Sequence, residues 1–254
     1  MYEIISSVKR DYIIDLVRQG KRVDGRAIDQ LRDVTIETGI IKTANGSAKV
    51  MFGKTQVLAG VKLMHAQPFP DKPNSGVLIV NAELLPMASP TFEPGPPRVE
   101  AIEVARVVDR GVRESEAIDL DKLNIKSGED VWAVFIDIDV LDHDGGLINA
   151  SALAAIAALI NVKPPEDEDW KLPAFPLSKR PVAVTVAKID DKLVVDPCLD
   201  EERMMDARLT ITTVDDGSIC AMQKGGVGYF TREELEQVYD LASAKAVELR
   251  AKLG

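Results

Sequence analysis

The amino-acid sequence predicts an α+β fold formed as a single domain over residues 1–254. In each half of the chain, short runs rich in Val, Ile and Leu cluster, a helix-patterned segment follows, and strand-like runs then resume. This order is typical of mixed sheets packed against helices, with a weak internal repeat. Hydrophobic residues make up 46% of the chain, which is enough for a sizeable core and argues against disorder.

The first elements follow from periodicity. Apolar side chains recur at helical spacing over about residues 3–19, and Gly20 then provides a stop signal. A polar segment leads into several β-prone runs. Asn45-Gly46 lies between two of these runs and predicts a hairpin turn.

Later elements are separated by equally clear signals. The segment 87–97 contains four prolines and one glycine, so we predict a loop that leads into a helix. The acidic segment 163–173 is the one candidate boundary, and its composition suits a surface loop equally well. A C-terminal helix is predicted over about 231–252, with Thr231 as its N-cap and Glu234 completing a capping box.

Charge and composition limit the classes of function. With 31 Lys and Arg against 41 Asp and Glu, the net charge is −10. A protein that coats itself with nucleic acid needs clustered cations, so RNA contact would have to use a local basic patch. The two cysteines are too few for a disulfide framework, and no run approaches the roughly 18 apolar residues of a membrane span. We expect a cytoplasmic protein with no membrane partner.

Several phrases in fixed order carry a resemblance that extends from about residue 20 to the C-terminus. They are RVDGR (22–26) with Leu31-Arg32, GSAKV (46–50), GKTQV (53–57), RVEAIEVARVVDRGVR (98–113), IDIDVLDHDG (136–145), VVDPCLDEE (194–202) and MQKGG (222–226). Each is weak alone, but their order and spacing together resemble the RNase PH family. The resemblance implies a ribosomal-protein-S5-domain-2-type fold with two βαβ-like halves and assembly into a six-membered ring.

Active members of that family degrade RNA from its 3′ end by phosphorolysis, in which inorganic phosphate attacks the terminal phosphodiester. Cationic groups must hold the phosphate because charge develops on the transferring phosphoryl group. Active members have Gly-Thr-Arg after the aspartate-glycine end of a strand, whereas this chain has Leu147 and Ile148 after Gly146. They also have two carboxylates six residues apart, a spacing that here joins Glu202 to Arg208. An arginine has no acceptor and cannot act as a base.

These departures are similar to those of the non-catalytic RNase-PH-like subunits of the archaeal exosome core ring. The resemblance implies a hexamer of three heterodimers with the catalytic RNase-PH-like subunit, capped by subunits with S1, KH or zinc-ribbon domains. Single-stranded RNA is the expected ligand. We expect no catalytic residue, metal ligand or cofactor in this chain, with phosphate, and Mg²⁺ if a metal takes part, belonging to the partner's site. Two alternatives stay open: a self-sufficient exoribonuclease that uses Asp206 or Glu202, and an assembly subunit without RNA contact.

The predicted RNA-binding residues lie on one helix. Arg106 and Arg110 are four residues apart and therefore project from one face. Guanidinium groups suit phosphodiester oxygens because they offer paired donors. The other two candidates are Arg98 and Arg113. The alternative is a solvated charge face, in which these arginines pair with the acidic residues Glu100, Glu103, Asp109 and Glu114.

A string of aspartates at 137, 139, 142 and 144 invites a metal-site interpretation. Strand alternation puts Asp137 and Asp139 on the face opposite Ile136 and Ile138. Apolar residues occupy positions that a calcium loop would use for ligands, and a strand precedes the string instead of a helix. We therefore predict a structural role, with turn capping before the two glycines that follow.

Overall fold

The computed structural model describes residues 7–254, with side chains from residue 9 onward. The helices are α1 (Ser7–Arg18), α2 (Val99–Glu114), α3 (Leu147–Ile160), α4 (Leu199–Glu202) and α5 (Arg232–Arg250), with 3-10 turns at Leu120–Leu123 and Ala251–Leu253. The strands are β1 (Val34–Thr38), β2 (Gly46–Phe52), β3 (Thr55–Ala66), β4 (Val77–Leu84), β5 (Asn124–Lys126), β6 (Asp130–Asp142), β7 (Val182–Ile189), β8 (Lys192–Val195), β9 (Ala207–Thr213) and β10 (Ile219–Gly226). Residues 3–6 of the predicted N-terminal helix lie outside the described part of the chain.

The first sheet has the strand order β1-β2-β3-β6-β4, with β5 also paired to β6. All its pairs are antiparallel except β4 and β6, which run parallel. Because α2 connects β4 to the β5–β6 segment, this part of the sheet is a parallel strand–helix–strand crossover. The second sheet has the order β10-β9-β7-β8 and is antiparallel throughout.

The core lies around α3, which packs against β2 and β3 of the first sheet and β7 of the second. Eleven of its 14 residues are buried, and most are Ala, Ile or Leu. Small alanines let both sheets approach the helix closely, so one hydrophobic cluster includes residues from both halves of the chain.

The hairpin predicted around Asn45-Gly46 is present, but its turn does not lie at these two residues. Strands β1 and β2 do pair, but residues 39–45 connect them and Gly46 is already the first residue of β2. A Cβ atom at Gly46 would lie 2.4 Å from the Ala158 carbonyl oxygen. The glycine is therefore required by the close approach of α3, and not by a turn.

The predicted C-terminal capping box is present. The Thr231 hydroxyl accepts a hydrogen bond from the Glu234 backbone nitrogen, and the Glu234 carboxylate accepts one from the Thr231 nitrogen at 2.8 Å. At the other end, Ile13 and Val17 of α1 pack with Ile189 of the second sheet in a small separate cluster. Within residues 7–254, no helix is both long and apolar enough to cross a membrane.

Buried ion pairs fix the segment that precedes β1. The Arg22 side chain is fully buried and pairs with the equally buried Glu201 of α4, with Nε to Oε1 at 2.8 Å. Arg22 also donates to the backbone carbonyls of Val195 and Asp196. The RVDGR phrase therefore binds the VVDPCLDEE phrase, which lies in the other half of the sequence.

A second set of contacts centres on Asp196, whose side chain is fully buried. Its carboxylate accepts hydrogen bonds from Arg32 Nη2 at 2.7 Å and Arg26 Nη1 at 3.1 Å. Arg32 also donates to the carbonyls of Asp144 and Gly145. Arg32, held by this buried carboxylate, thus connects the segment before β1 to the turn between β6 and α3.

Candidate RNA interface

Helix α2 carries all of the predicted RNA-binding arginines. Two prolines precede it, and Arg98 is its N-cap residue in extended conformation. One face of the helix buries small and β-branched residues against β4 and β10. The opposite face carries the arginines together with the exposed Val99 and Ile102, so the guanidinium groups can reach solvent. The buried residues are Ala101, Val104, Val107, Val108, Gly111 and Val112.

A surface groove of about 340 Å³ runs beside this exposed face. Arg106 and Arg110 both line it, together with two acidic residues and two small apolar ones. The predicted sharing of one face by these two arginines is therefore observed. The remaining lining residues are Val80, Ala105, Asp109 and Glu114.

The four arginines differ in their partners. Arg106 is exposed, and within residues 7–254 its guanidinium forms no hydrogen bond or ion pair. Arg110 is half-buried, and its Nη1 donates to Gln223 Oε1 at 3.2 Å and to the Met222 carbonyl at 3.3 Å. Neither contact neutralises its charge, so both arginines keep a positive charge in the groove.

Arg98 and Arg113 are already paired with carboxylates. Arg113 forms a bidentate pair with Asp109, with distances of 2.6 and 3.1 Å, and also donates to the Leu78 carbonyl. Arg98 pairs with Glu93 in the proline-rich loop. The alternative, in which the arginines pair with acidic residues of the same helix, therefore holds for Arg113 but not for Arg106 or Arg110.

The turn at the end of β6 corresponds to the phosphate-binding position that the family resemblance implies. Leu147 and Ile148 form the first turn of α3, and Ile148 is only 3% exposed, so it belongs to the core. The Gly146 backbone nitrogen donates to Glu202 Oε1 at 2.8 Å. The chain's own carboxylate therefore occupies the backbone donor at which an external anion would bind.

The two residues of the alternative, self-sufficient active site, Glu202 and Asp206, have different hydrogen-bond partners in this structure. Burial raises the pKa of Glu202, while the Gly146 nitrogen and the nearby Arg208 oppose that rise. Asp206 accepts a hydrogen bond from the Asp190 backbone nitrogen at 2.9 Å in the β7–β8 turn. Arg208 pairs with Glu103 of α2 at 2.7 Å.

The aspartate string has the predicted alternation, since Asp137 is exposed and the flanking Ile136 and Ile138 are buried. The predicted capping of the turn by aspartate side chains is wrong, since within the described residues no hydrogen bond reaches the carboxylate of Asp142 or Asp144. Instead, Thr55 Oγ1 accepts from the Asp144 nitrogen and donates to the Gly145 carbonyl, at 2.9 and 2.7 Å.

The proline-rich loop is attached to the same turn. The Phe92 ring stacks on His143 with centroids 5.3 Å apart, and the His143 backbone nitrogen donates to the Ala88 carbonyl. Burial lowers the pKa of His143 to about 4, so the ring is neutral at physiological pH. This contact fixes the loop that leads into α2.

One cluster of potential metal-ligating side chains could not be predicted from the sequence patterns, because its members are far apart in the chain. Among residues 7–254, the only group of three or more potential metal ligands within 4.8 Å of one another is His65, Asp167 and Asp169. All three are exposed, and His65 Nδ1 lies 2.8 Å from Asp130. The cluster attaches the acidic 163–173 segment to β3 and β6.

Comparisons with known proteins agree with this architecture. Two family models match the chain: the 3′ exoribonuclease family, domain 1, over residues 30–165, and the same family's domain 2 over residues 179–245. The chain is 54% identical over 252 residues to the exosome complex component Rrp42 of Methanosarcina acetivorans, covering 98% of this chain and 95% of that protein. It is 50% identical over 254 residues to the protein of the same name from Thermoplasma acidophilum, with coverages of 98% and 96%.

Solved structures give the same result. A chain of the Archaeoglobus fulgidus exosome with RNA bound to the active site superposes with a TM-score of 0.93 at 49% identity, covering 97% of this chain and 98% of that one. A chain of an archaeal exosome core gives a TM-score of 0.88 at 45% identity, with coverages of 97% and 96%. Rice Rrp46, at 18% identity and a TM-score of 0.72 over 91% of this chain and 98% of that one, shares the fold alone. The predicted α+β fold and family resemblance are confirmed, and the chain belongs to the 3′ exoribonuclease family of RNase PH.

Proposed function

We propose that this chain is a non-catalytic, RNA-binding core subunit of an archaeal exosome ring that degrades RNA from its 3′ end. The relatives at about half identity over nearly their full length are named exosome components, and one matching structure is an exosome with bound RNA. The chain would pair with the catalytic RNase-PH-like subunit in a hexamer of three heterodimers. Subunits with S1, KH or zinc-ribbon domains would cap the ring.

One observation carries the proposed RNA contact: the unpaired Arg106 guanidinium lines a groove beside Arg110. Two guanidinium groups on one helix face can bind successive phosphodiester oxygens. Such a local basic site is compatible with a net charge of −10 because the contact depends on the charges nearest the strand. Arg98 and Arg113 stay predictions, and their ion pairs would weaken any contact they make.

The proposed lack of catalysis has separate support. Ile148 is buried in the core, Glu202 is bound to Gly146, and Arg208 stands where the family spacing calls for a carboxylate. A phosphate would find the Gly146 backbone donor already bound to Glu202, and position 208 carries a guanidinium where acid–base chemistry or metal binding would need a carboxylate. The chemistry would therefore take place in the partner, which would also hold the phosphate and any Mg²⁺.

The test measures phosphate-dependent release of nucleoside diphosphates from single-stranded RNA. The chain is assayed alone and then mixed with the catalytic RNase-PH-like homologue from the same organism. We expect activity only in the mixture, lowered roughly tenfold by Arg106→Glu or Arg110→Glu while the ring remains assembled. Arg232→Glu, on α5, is the matched control for the change of charge.

Two results would contradict the proposal in different ways. Robust activity of the chain alone, abolished by Asp206→Ala, would make it an enzyme in its own right. Full activity and unchanged RNA crosslinking of the mixture carrying Arg106→Glu and Arg110→Glu would leave it an assembly subunit without RNA contact.

A further inference from the structure

We propose that Arg208 is a positioning residue that keeps the Arg106 guanidinium available to RNA phosphates by holding the Glu103 carboxylate, a role that rests on the proposed function. Arg208 lies on β9 and reaches across to α2, where its Nη2 atom is 2.7 Å from Glu103 Oε2. The two side chains are only 18% and 29% exposed. Partial burial makes this pair stronger and more persistent than an ordinary surface pair.

The neighbouring strand provides the space for this contact. Gly225 on β10 is the register partner of Arg208. A Cβ atom at Gly225 would lie 2.5 Å from Arg208 Nε and 3.1 Å from its Cγ. Glycine at this position therefore lets the arginine stem lie flat against β10 and point toward α2.

Arg106 has an acidic residue three positions away on either side, Glu103 before it and Asp109 after it. Residues three apart are neighbours on a helix surface, so either carboxylate could pair with Arg106. Each is held by a different arginine instead: Glu103 by Arg208, and Asp109 by Arg113 in a bidentate pair. This arrangement explains why Arg106 is exposed and unpaired on a helix that is rich in acidic residues.

A glutamine extends the same contact to the second groove arginine. Gln223 on β10 donates from Nε2 to Glu103 Oε1 at 3.4 Å, and its Oε1 accepts from Arg110 Nη1 at 3.2 Å. Both oxygens of Glu103 thus face the second sheet. If Glu103 were released by Arg208, its charge would attract Arg106 and repel an RNA phosphate in the groove.

The experiment uses the full-length chain and a fluorescently labelled single-stranded oligoribonucleotide of mixed sequence. Fluorescence anisotropy gives the Kd over a series of salt concentrations. We expect Arg208→Gln to weaken binding roughly tenfold and to lower the slope of log Kd against log salt by about 0.7, the value for one lost phosphate contact on a single strand. The double variant Arg208→Gln/Glu103→Gln should restore both values, because the competing carboxylate is gone.

Further variants separate positioning from folding. Arg208→Lys keeps the charge and should retain most of the affinity, whereas Arg232→Gln controls for net charge. If Arg208→Gln fails to fold, Glu103→Gln alone still tests the idea, because it should bind RNA at least as tightly as the parent chain, and weaker binding would overturn the idea. A double variant that binds as weakly as Arg208→Gln would also overturn the positioning role.

Arg106→Gln distinguishes failure of this inference from failure of the proposed function. If Arg106→Gln weakens binding but Arg208→Gln does not, Arg208 has no positioning role and the RNA contact stands. If Arg106→Gln has no effect on Kd or on the salt slope, the RNA contact itself is wrong, and the role of Arg208 is overturned with it.

Discussion

The Glu202 carboxylate accepts a hydrogen bond from the Gly146 backbone nitrogen at 2.8 Å, at the point where α3 begins. Helix N-termini favour anions because their backbone N–H groups are unpaired and carry partial positive charge. Burial acts in the opposite direction and raises the pKa of Glu202. The carboxylate therefore combines a favourable local contact with an unfavourable desolvation.

The first prediction concerns Glu202→Gln. A carboxyl group whose pKa is raised on folding contributes stability below its ordinary value of 4.5, and that contribution is lost as the pH rises through the folded pKa. Glutamine keeps an acceptor for Gly146 but cannot ionise. We expect the variant to be more stable than the parent chain near neutral pH, with the difference shrinking toward about pH 4. Urea unfolding at both pH values measures this, and destabilisation at both would contradict it.

Removing the Asp196 carboxylate should be far more damaging. Asp196→Asn leaves Arg32 buried without its ion-pair partner, whereas Arg26 keeps its pair with Asp24. Breaking a buried ion pair on one side costs about 3–5 kcal/mol. Asp200→Asn is the matched control because Asp200 forms a more exposed pair with Lys9, worth at most about 1 kcal/mol. Urea unfolding gives the free energy of unfolding of both variants. Equal losses would show that the buried ion pairs stabilise the fold no more than the exposed pair does.

The His65 contact should depend on pH. Nδ1 of His65 lies 2.8 Å from Asp130 and Nε2 lies 3.5 Å from Asp167, so a protonated ring can donate to both. These carboxylates, Asp130 first, raise the pKa of His65 above 6.5. The stabilisation is therefore present below pH 6.5 and is lost as the pH rises through the raised value. The chain's two tryptophans, Trp132 and Trp170, pack on each other beside His65, so intrinsic fluorescence reports on this site.

We expect the tryptophan fluorescence to change with pH, in a transition whose midpoint lies above pH 6.5. Asp130→Asn should lower the midpoint because it removes the largest cause of the pKa shift. His65→Gln should abolish the transition, although Asp167 and Asp169 remain. An unchanged midpoint in Asp130→Asn would show that other groups titrate in this range.

Gly46→Ala tests whether this glycine is required by the close approach of α3 and not by a turn. The added Cβ would lie 2.4 Å from the Ala158 carbonyl and 2.9 Å from Val162 Cγ2, so α3 must shift. We expect a loss of about 1–3 kcal/mol, as for other overpacked sites. Gly60→Ala is the control because its nearest neighbour would be 3.9 Å away. Thermal unfolding compares the two, and similar melting temperatures would contradict the close-contact explanation.

Local patterns predicted much of the fold because local physics determines it. The Thr231 capping box depends on residues three positions apart, and the arginine helix depends on its own apolar stripe. Asn45-Gly46 was misinterpreted because the same glycine suits a turn and a tight helix–strand contact. Only the position of α3 decides between these interpretations, and that position is a tertiary property.

Contacts between distant residues could not be predicted in the same way. Glu103 and Arg208 are separated by 105 positions, so the helix sequence alone suggested that Glu103 pairs with arginines on α2. Likewise, RVDGR contributed to the family resemblance without revealing that Arg22 is a fully buried partner of Glu201. The RNA-binding role of Arg106 and Arg110 stays a prediction.

The buried arginines near the N-terminus impose an order on biosynthesis. Arg22 and Arg32 leave the ribosome early, but their carboxylate partners follow 179 and 164 residues later. Until residues 196 and 201 have emerged, Arg32 and Arg22 lack their carboxylate partners, so the segment before β1 cannot adopt its final position. Contacts of such long sequence separation slow folding. The segment before β1 should therefore reach its final position only after α4 has been synthesised.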